Sequence, residues 1–375
     1  MERSSRSGMR AVLLPAARLV AIVIGVFMLL EVTARIHLFG LAGLLPEHVN
    51  SVHGLPQTGF TQPAPPDSGR IFDLKPGIDG YFKNVPFRTN SAGLRDREYA
   101  LQKPENTFRV AVLGASFALP AGVAIEDAFH SRLEERFSAQ FAPRRYEFIN
   151  FSVGMYSPRQ VLATLESRAL AYEPDLILVT VTSLSMPWLV GNPPIPRRSD
   201  DEPRFRDHFQ KSYPVLQSFF LRLMRQRMGL GPDTPQTYVG AIERLFMNAM
   251  QRLDPPAESP SPAKAAVPPT RAPSRARKRA TILEHLAQIR TRTGIPVAIV
   301  RLEFDPSPRQ PIDWEAEARA RSLGIPYFDT REAFAGRKPS DFWIFEFDPH
   351  PDARAHGIFA QAVARFLTDS HLIPE

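Results

Sequence analysis

Three short stretches of this chain hold residue types that together could move an acyl group. Gly114-Ala115-Ser116-Phe117 follows the apolar run FRVAVL, Asn150 to Gly154 (NFSVG) closes the run YEFINF, and Asp348-Pro349-His350 stands just ahead of the periodic stretch Ala353–Leu367. A serine at the carboxyl end of a buried parallel strand can expose its hydroxyl and offer its own N–H to an oxyanion. A glycine in the neighbouring turn lets a second backbone N–H approach the same atom. A histidine two residues after an aspartate can take the serine's proton while the carboxylate fixes its tautomer. Each fragment alone has a plainer reading. Ser116 could cap a helix, Gly154 could be a turn glycine, and the Asp-x-His could be a surface loop. Asp352 and His356, four apart, could form a metal pair, but the chain has no cysteine and no HExxH-type spacing, so a metal is weakly supported.

The elements around these fragments alternate. Phe108–Leu113 predicts a strand, and Ala128–Phe141 a helix with Phe129, Leu133, Phe137 and Phe141 on one face. Tyr146–Phe151 predicts a strand, Pro158–Ala171 a helix with proline in its first turn, and Leu176–Val181 a buried strand. That β-α-β-α-β order implies a parallel sheet with right-handed crossovers. The alternation breaks at about 184–279, where helices are expected around Tyr213–Met228 and Tyr238–Leu253. The low-complexity run 254–277 is expected to be disordered. It resumes with helix Ala280–Thr293, strand Pro296–Leu302, helix Trp314–Leu323, strand Ile325–Phe328 and the closing helix Ala353–Leu367.

Ahead of this lies Ala11–Leu30, twenty residues carrying one charge, Arg18. About twenty apolar residues span a bilayer as a helix. Basic residues precede the run, which predicts a cytoplasmic N-terminus and everything after it outside, in the periplasm. A cleaved signal peptide is the competing reading. No clear small-x-small site follows, and the retained anchor is favoured. Glu31 and Arg35, four apart, are placed to pair. The organisation expected is a cytoplasmic N-terminus and anchor at 1–40, a tether at 41–85, and one α/β domain at 86–375 carrying the long insertion.

The chain has 375 residues, 46 Lys and Arg against 39 Asp and Glu, a net charge of +7, and 37 prolines. A basic balance raises nucleic-acid binding as a reading. The excess, however, sits in Arg3, Arg6, Arg10 and Arg18 and in the Pro/Ala-rich stretch at Arg271 to Arg279. No zinc-finger spacing and no basic helix facing aromatic platforms accompanies it, so no nucleic-acid partner is expected. The expected partners are the membrane and an acylated substrate.

In their order and spacing the three fragments resemble the SGNH hydrolases, also called GDSL-type esterases, of the membrane-anchored bacterial kind. The stretch from RTNSAGLRD through FRVAVLGASF is similar to the family's opening block. YEFINFSVGMYSPRQVLATLESRALAYEPDLILV resembles its glycine block, and DPHPDARAHGIFAQAVARFL its closing Asp–His block. The resemblance covers 86–183 and 296–368. It implies a flavodoxin-like three-layer α/β/α domain that hydrolyses or transfers an ester, with no metal or organic cofactor. Ser116 would be the nucleophile, His350 the base and Asp348 its orienter, and the N–H groups of Ser116 and Gly154 would form the oxyanion hole. An O-acylated glycan, a lipid or a similar envelope component would be the substrate. Two departures stand out. Ala115 replaces the family's aspartate. The third block, VTVTSLSMPW, lacks the family's oxyanion asparagine, for which Thr182, Ser183 or Ser185 would have to substitute. The alternative is a catalytically impaired accessory protein of an envelope polysaccharide system.

Overall fold

The computed structural model describes residues 2–50, 55–191, 218–228 and 280–374. The expected helix at Tyr238–Leu253 and the linker at 254–277 lie outside the described residues. In chain order the helices are α1 (Glu2–Phe39), α2 (Pro46–Asn50), α3 (Phe129–Gln140), α4 (Pro158–Ser167) and α5 (Met186–Val190). Then come α6 (Phe219–Arg227), α7 (Ile282–Thr293), α8 (Pro311–Ser322) and α9 (Ala353–Asp369). The strands are β1 (Thr61–Pro63), β2 (Phe72–Leu74), β3 (Asp79–Phe82), β4 (Val85–Arg88), β5 (Thr107–Leu113) and β6 (Arg145–Asn150). They continue with β7 (Leu176–Val181), β8 (Val297–Arg301), β9 (Tyr327–Asp329), β10 (Trp343–Phe345) and β11 (Asp348–Pro351). The chain divides into two units, Met1–Val49 with Arg198–Ser259, and Asn50–Arg197 with Pro260–Glu375.

In the first unit, α1 is long and apolar enough to cross a membrane, with a mean hydropathy of 2.3 in its most apolar window. Glu31 is a carboxylate in this apolar helix and needs partners. Arg35 Nε supplies one at 2.9 Å, the pairing its i,i+4 spacing predicts. The others come from the start of α6. Ser218 Oγ donates at 2.7 Å, and the Phe219 and Phe220 N–H groups donate at 3.3 and 3.1 Å. Glu31 therefore caps α6 from a distant part of the chain, satisfying N–H groups that a helix start leaves open. Phe219 packs edge-on against Phe39, with ring centroids 5.0 Å apart.

The second unit is a three-layer α/β/α sandwich. Five parallel strands run in the order β6-β5-β7-β8-β9, the doubly wound order of flavodoxin-like folds. Alternation along the strands sorts the core into two faces. Ala111, Leu113, Ile177, Val179 and Ile299 bury against α4, α7 and α8. Val110, Val112, Leu178, Ala298 and Val300 bury against Phe129, Leu133 and Phe137 of α3 and Phe359, Val363 and Leu367 of α9. Local chemistry fixes the helix starts. Ser157 and Gln160 form a capping box with Pro158 in the first turn, and Thr281 and Glu284 form another.

Residues 55–88 carry more structure than a tether. β1 pairs with β2 and β3 with β4, both antiparallel, and Leu74, Phe82 and Phe87 are buried. The prolines and glycines of this segment mark its turns. The β3–β4 turn is Lys83-Asn84, with φ of 53° and 66°, the two-residue geometry that matches strand twist.

Candidate active site

The switch point of this sheet lies between β5 and β7, where the order of winding reverses, and Ser116 sits in the turn leaving β5. Gly114 makes that turn possible. A β-carbon there would lie 1.9 Å from Thr180 Oγ1 on β7 and 2.9 Å from the Ala118 β-carbon. Residues 115–123 form successive turns, closed by Leu119 N–H to Ala115 O at 2.9 Å and Ala121 N–H to Ser116 O at 3.3 Å, and α3 begins at Phe129, one residue after the start its periodicity predicts. Pro120, within these turns, has no N–H to give a helix and disfavours helical backbone in the residue before it.

The Gly154 turn lies against this one. Phe151 N–H donates to Val112 O at 2.8 Å and Val153 N–H to Gly114 O at 3.4 Å. A β-carbon on Gly154 would meet Leu55 Cδ1 at 2.8 Å, so a larger residue there needs the Leu55 side chain to shift. Asn150 ties the two turns together, its amide donating to Ala118 O at 2.8 Å and its carbonyl accepting from Ser152 N–H at 3.0 Å.

Asp348 and His350 lie on β11, paired with β10, so the stretch read as a possible loop is a short strand. His350 Nδ1 is 2.5 Å from Asp348 Oδ1, which also accepts from His350 N–H at 3.2 Å. A carboxylate only accepts, so Nδ1 carries the proton of this bond. Burial pushes the Asp348 carboxyl up, but its bonds and charge interactions with His350 and Lys83 outweigh that and hold it well below the usual carboxylate range. The His350 ring packs edge-on against Phe117, the residue after Ser116, at 5.7 Å between centroids. Phe117 in turn stacks on Phe304 at 5.8 Å. Among the described residues no hydrogen bond engages the Ser116 hydroxyl, which is half-buried.

Three neighbours escaped the sequence reading. Lys83, at the tip of β3–β4, donates to Asp348 Oδ2, and its Nζ is 3.2 Å from His350 Nδ1. Arg95, fully buried, gathers the carbonyls of the Ser116 loop: Leu119 O at 2.9 Å, Val123 O at 2.7 Å and Pro120 O, with Pro86 O of β4 at 3.3 Å. Asp96, the next residue, accepts from Asn150 N–H at 2.9 Å and Tyr99 Oη at 3.1 Å. Burial pushes its carboxyl up to about 7. Arg95 and Asp96 close the RTNSAGLRD stretch, but their roles, like that of Lys83, come from contacts with residues up to 267 positions away.

The third block is also settled locally. Ser183 donates to Glu303 and accepts from Arg301 at 2.9 Å, so its hydroxyl is engaged elsewhere. Leu184 projects into solvent, and Ser185 Oγ accepts a long 3.5 Å bond from Thr182 N–H. The Thr182 hydroxyl accepts in turn from Ser185 N–H, closing a capping box. Asp352 and His356 do not act together. Asp352 caps α9 by accepting from Ala355 N–H at 2.9 Å, and His356 is buried, its Nδ1 accepting from Phe129 N–H at 3.2 Å. A small apolar pocket of about 20 Å³, room for little more than a water, is lined by Leu113, Ala115, Tyr156, Val161, Val181 and Leu189 among others. Neither Ser116 nor His350 lines it.

No family model matches this chain, and no curated protein matches it. Among solved structures it is similar to LAE5, an α/β hydrolase from the metagenome of Lake Arreo, Spain, at 12% identity and a TM-score of 0.37, over 72% of this chain and 97% of that one. A catalytic variant of Axe2, an acetylxylan esterase from Geobacillus stearothermophilus, gives 12% and 0.37 over 69% and 94%. TesA gives 13% and 0.33 over 70% and 98%. At such scores these likenesses carry no argument about activity, and the fold stands on the sheet order and the two cores described above.

Proposed function

We propose that this protein is a membrane-anchored ester hydrolase or acyl transferase of the SGNH type, acting outside the cytoplasmic membrane on an O-acylated glycan, lipid or similar envelope substrate. The observation that carries the reading is the Asp348–His350 pair, 2.5 Å apart, with the imidazole packed on the residue that follows Ser116. In this mechanism His350 Nε2 takes the Ser116 proton as the hydroxyl attacks the acyl carbon. Asp348 holds the Nδ1–H tautomer and stabilises the imidazolium. The N–H groups of Ser116 and Gly154 receive the oxyanion. The imidazolium then protonates the leaving alcohol, and water or an acceptor hydroxyl releases the acyl group by the reverse steps.

A second reading, an SGNH-like accessory protein with impaired chemistry, is favoured by the block after β7, where Leu184 faces solvent and Ser183 is committed to Glu303. The two are separated by a fluorophosphonate probe and p-nitrophenyl acetate, applied to the full chain in detergent. The catalytic reading expects Ser116 to be labelled and the ester hydrolysed slowly, with both lost in Ser116→Ala. Equal rates in wild type and Ser116→Ala, with no label on Ser116, would favour the accessory reading.

A further inference from the structure

Lys83 sits in a place that stability alone explains poorly. Its side chain is only 7% exposed, and it faces an equally enclosed carboxylate. Taking both charges out of water cancels much of what their attraction returns, so a buried ion pair is a weak stabilising device. Burial lowers the Lys83 ammonium below its usual value, while the Asp348 charge pulls it back up. The backbone holds the lysine in this position. Lys83 occupies the left-handed region at φ 53° in a two-residue turn. Its neighbour Phe82 is buried, and its Nζ lies 5.7 Å from the centre of that ring. Beside it is Gly122 of the Ser116 loop, where an added β-carbon would come within 3.3 Å of the Lys83 β-carbon and 2.7 Å of Ile344 on β10. The lysine thus runs between the loop that carries Ser116 and the hairpin that carries His350.

What it does there follows from counting acceptors. Asp348 Oδ1 takes two donors, both from His350, at 2.5 and 3.2 Å. Oδ2 would otherwise be open to rotation of the carboxylate, and Lys83 closes it. Because His350 Nδ1 already gives its proton to Asp348, Lys83 is not its donor, and the 3.2 Å approach to Nδ1 is contact between neighbours on one carboxylate.

We propose that Lys83 is a positioning residue of this site: by gripping Asp348 Oδ2 it fixes the carboxylate plane, and through it the ring orientation and Nδ1–H tautomer of His350. The inference rests on the Ser–His–Asp reading for its catalytic consequence, but not for the effect on the histidine. The test uses full-length protein in detergent micelles, labelled with ¹⁵N at histidine, with the His350 signal assigned by its loss in His350→Gln. Lys83→Met keeps the length and removes the charge, and Lys83→Arg restores a donor. In Lys83→Met the His350 Nδ1–H signal is expected to give way to a mixture of tautomers, and in Lys83→Arg to persist. Fluorophosphonate labelling of Ser116 should slow by roughly ten- to a hundredfold in Lys83→Met, the scale seen when groups that orient a working histidine are removed, and largely recover in Lys83→Arg. An unchanged tautomer and labelling rate in Lys83→Met overturns the proposal. So does equal loss in both variants with equally lowered melting, which would assign Lys83 to the fold. If wild-type Ser116 takes no label, the ester reading falls, and the tautomer comparison still decides the role of Lys83.

Discussion

A methyl group at Gly114 has nowhere to go, because Thr180 Oγ1 would lie 1.9 Å from it. That hydroxyl is itself fixed, donating to Leu113 O at 2.9 Å. Gly114→Ala should therefore push the Ser116 turn away from β7, at a cost of about 1–3 kcal/mol for an overpacked site. Urea unfolding would measure the cost, and an unchanged midpoint would mean that the turn has more room than the geometry gives. The oxyanion donors make a second prediction at this scale. With Ser183 donating to Glu303 and Leu184 in solvent, Thr182 and Ser185, whose hydroxyls only accept, keep protons to donate, and Thr182 directly follows β7. Thr182→Val should lower kcat for p-nitrophenyl acetate by about tenfold or more, with KM little changed, given that a lost side-chain donor costs up to 10²–10³. An unchanged kcat would leave the two backbone donors as the whole hole. Ser116, Gly154, Asp348 and His350 were legible in the sequence as candidates, through their residue types and order, and the structure joins two of them, Asp348 and His350, directly. Lys83, Arg95 and Asp96 were not legible, since a buried charged side chain shows its purpose only once its distant partner is in place.

Among the elements, the strands and helices of the sandwich were legible almost throughout, since burial on both faces writes continuous apolar runs for strands such as LILVTV, and one-sided burial writes helical periodicity for α3 and α9. What escaped was structure made by small pairings: β1–β4 in a stretch rich in turn residues, and β10–β11, where a proline-flanked histidine gave no alternation to read. The contact of α3 with α9 and β6 buries His130 and His356, and it makes a prediction. Burial, helped by the Arg95 charge, holds His130 at about 3. Burial, with His130, Arg95 and Arg132, holds His356 at about 3. Both are therefore neutral in the folded protein near neutral pH, and the 3.7 Å approach of His130 to Asp96 is not an ion pair there. Stability from the two histidines is present above their ordinary value of 6.5 and is lost as pH falls from there toward 3. Asp96, raised to about 7, has the opposite sign: its contribution is full below 3.8 and is lost as pH rises through 7. Between these limits the unfolded chain binds two more protons on the histidines and one fewer on Asp96. These groups then give a stability that rises with pH by about 1.4 kcal/mol per unit, one proton's worth. His356→Asn keeps an acceptor for Phe129 N–H and removes one titration. It should flatten the slope between pH 4.5 and 6 by one proton in urea unfolding. A slope as steep as wild type would show that His356 is charged in the folded state.

At the scale of the whole molecule, a doubly wound sheet and an apolar helix leading into it set where the chemistry can happen. The sheet reverses its winding between β5 and β7, and in folds of this order ligands bind in the crevice outside the strands' carboxyl ends at that point. The sequence placed Ser116 there before any contact was known, because the alternation of strands and helices fixed which end of β5 it leaves. A helix long and apolar enough to span a membrane precedes the sheet, and its orientation would set the side on which these strand ends lie. Arg3, Arg6, Arg10 and Arg18 crowd the start of α1, and basic residues next to a spanning helix stay cytoplasmic. At the other end of the helix, Glu31 and Arg35 bond to each other, and Glu31 also receives the N-terminal N–H groups of α6. The four arginines predict an N-terminus-in orientation for a spanning α1. A C-terminal reporter enzyme that needs an oxidising compartment should therefore be active on the intact chain, and a reporter that matures only in the cytoplasm should stay dark. Replacing Arg3, Arg6 and Arg10 together by glutamine should raise the inverted fraction. A bright cytoplasmic reporter on the unaltered chain would overturn the orientation.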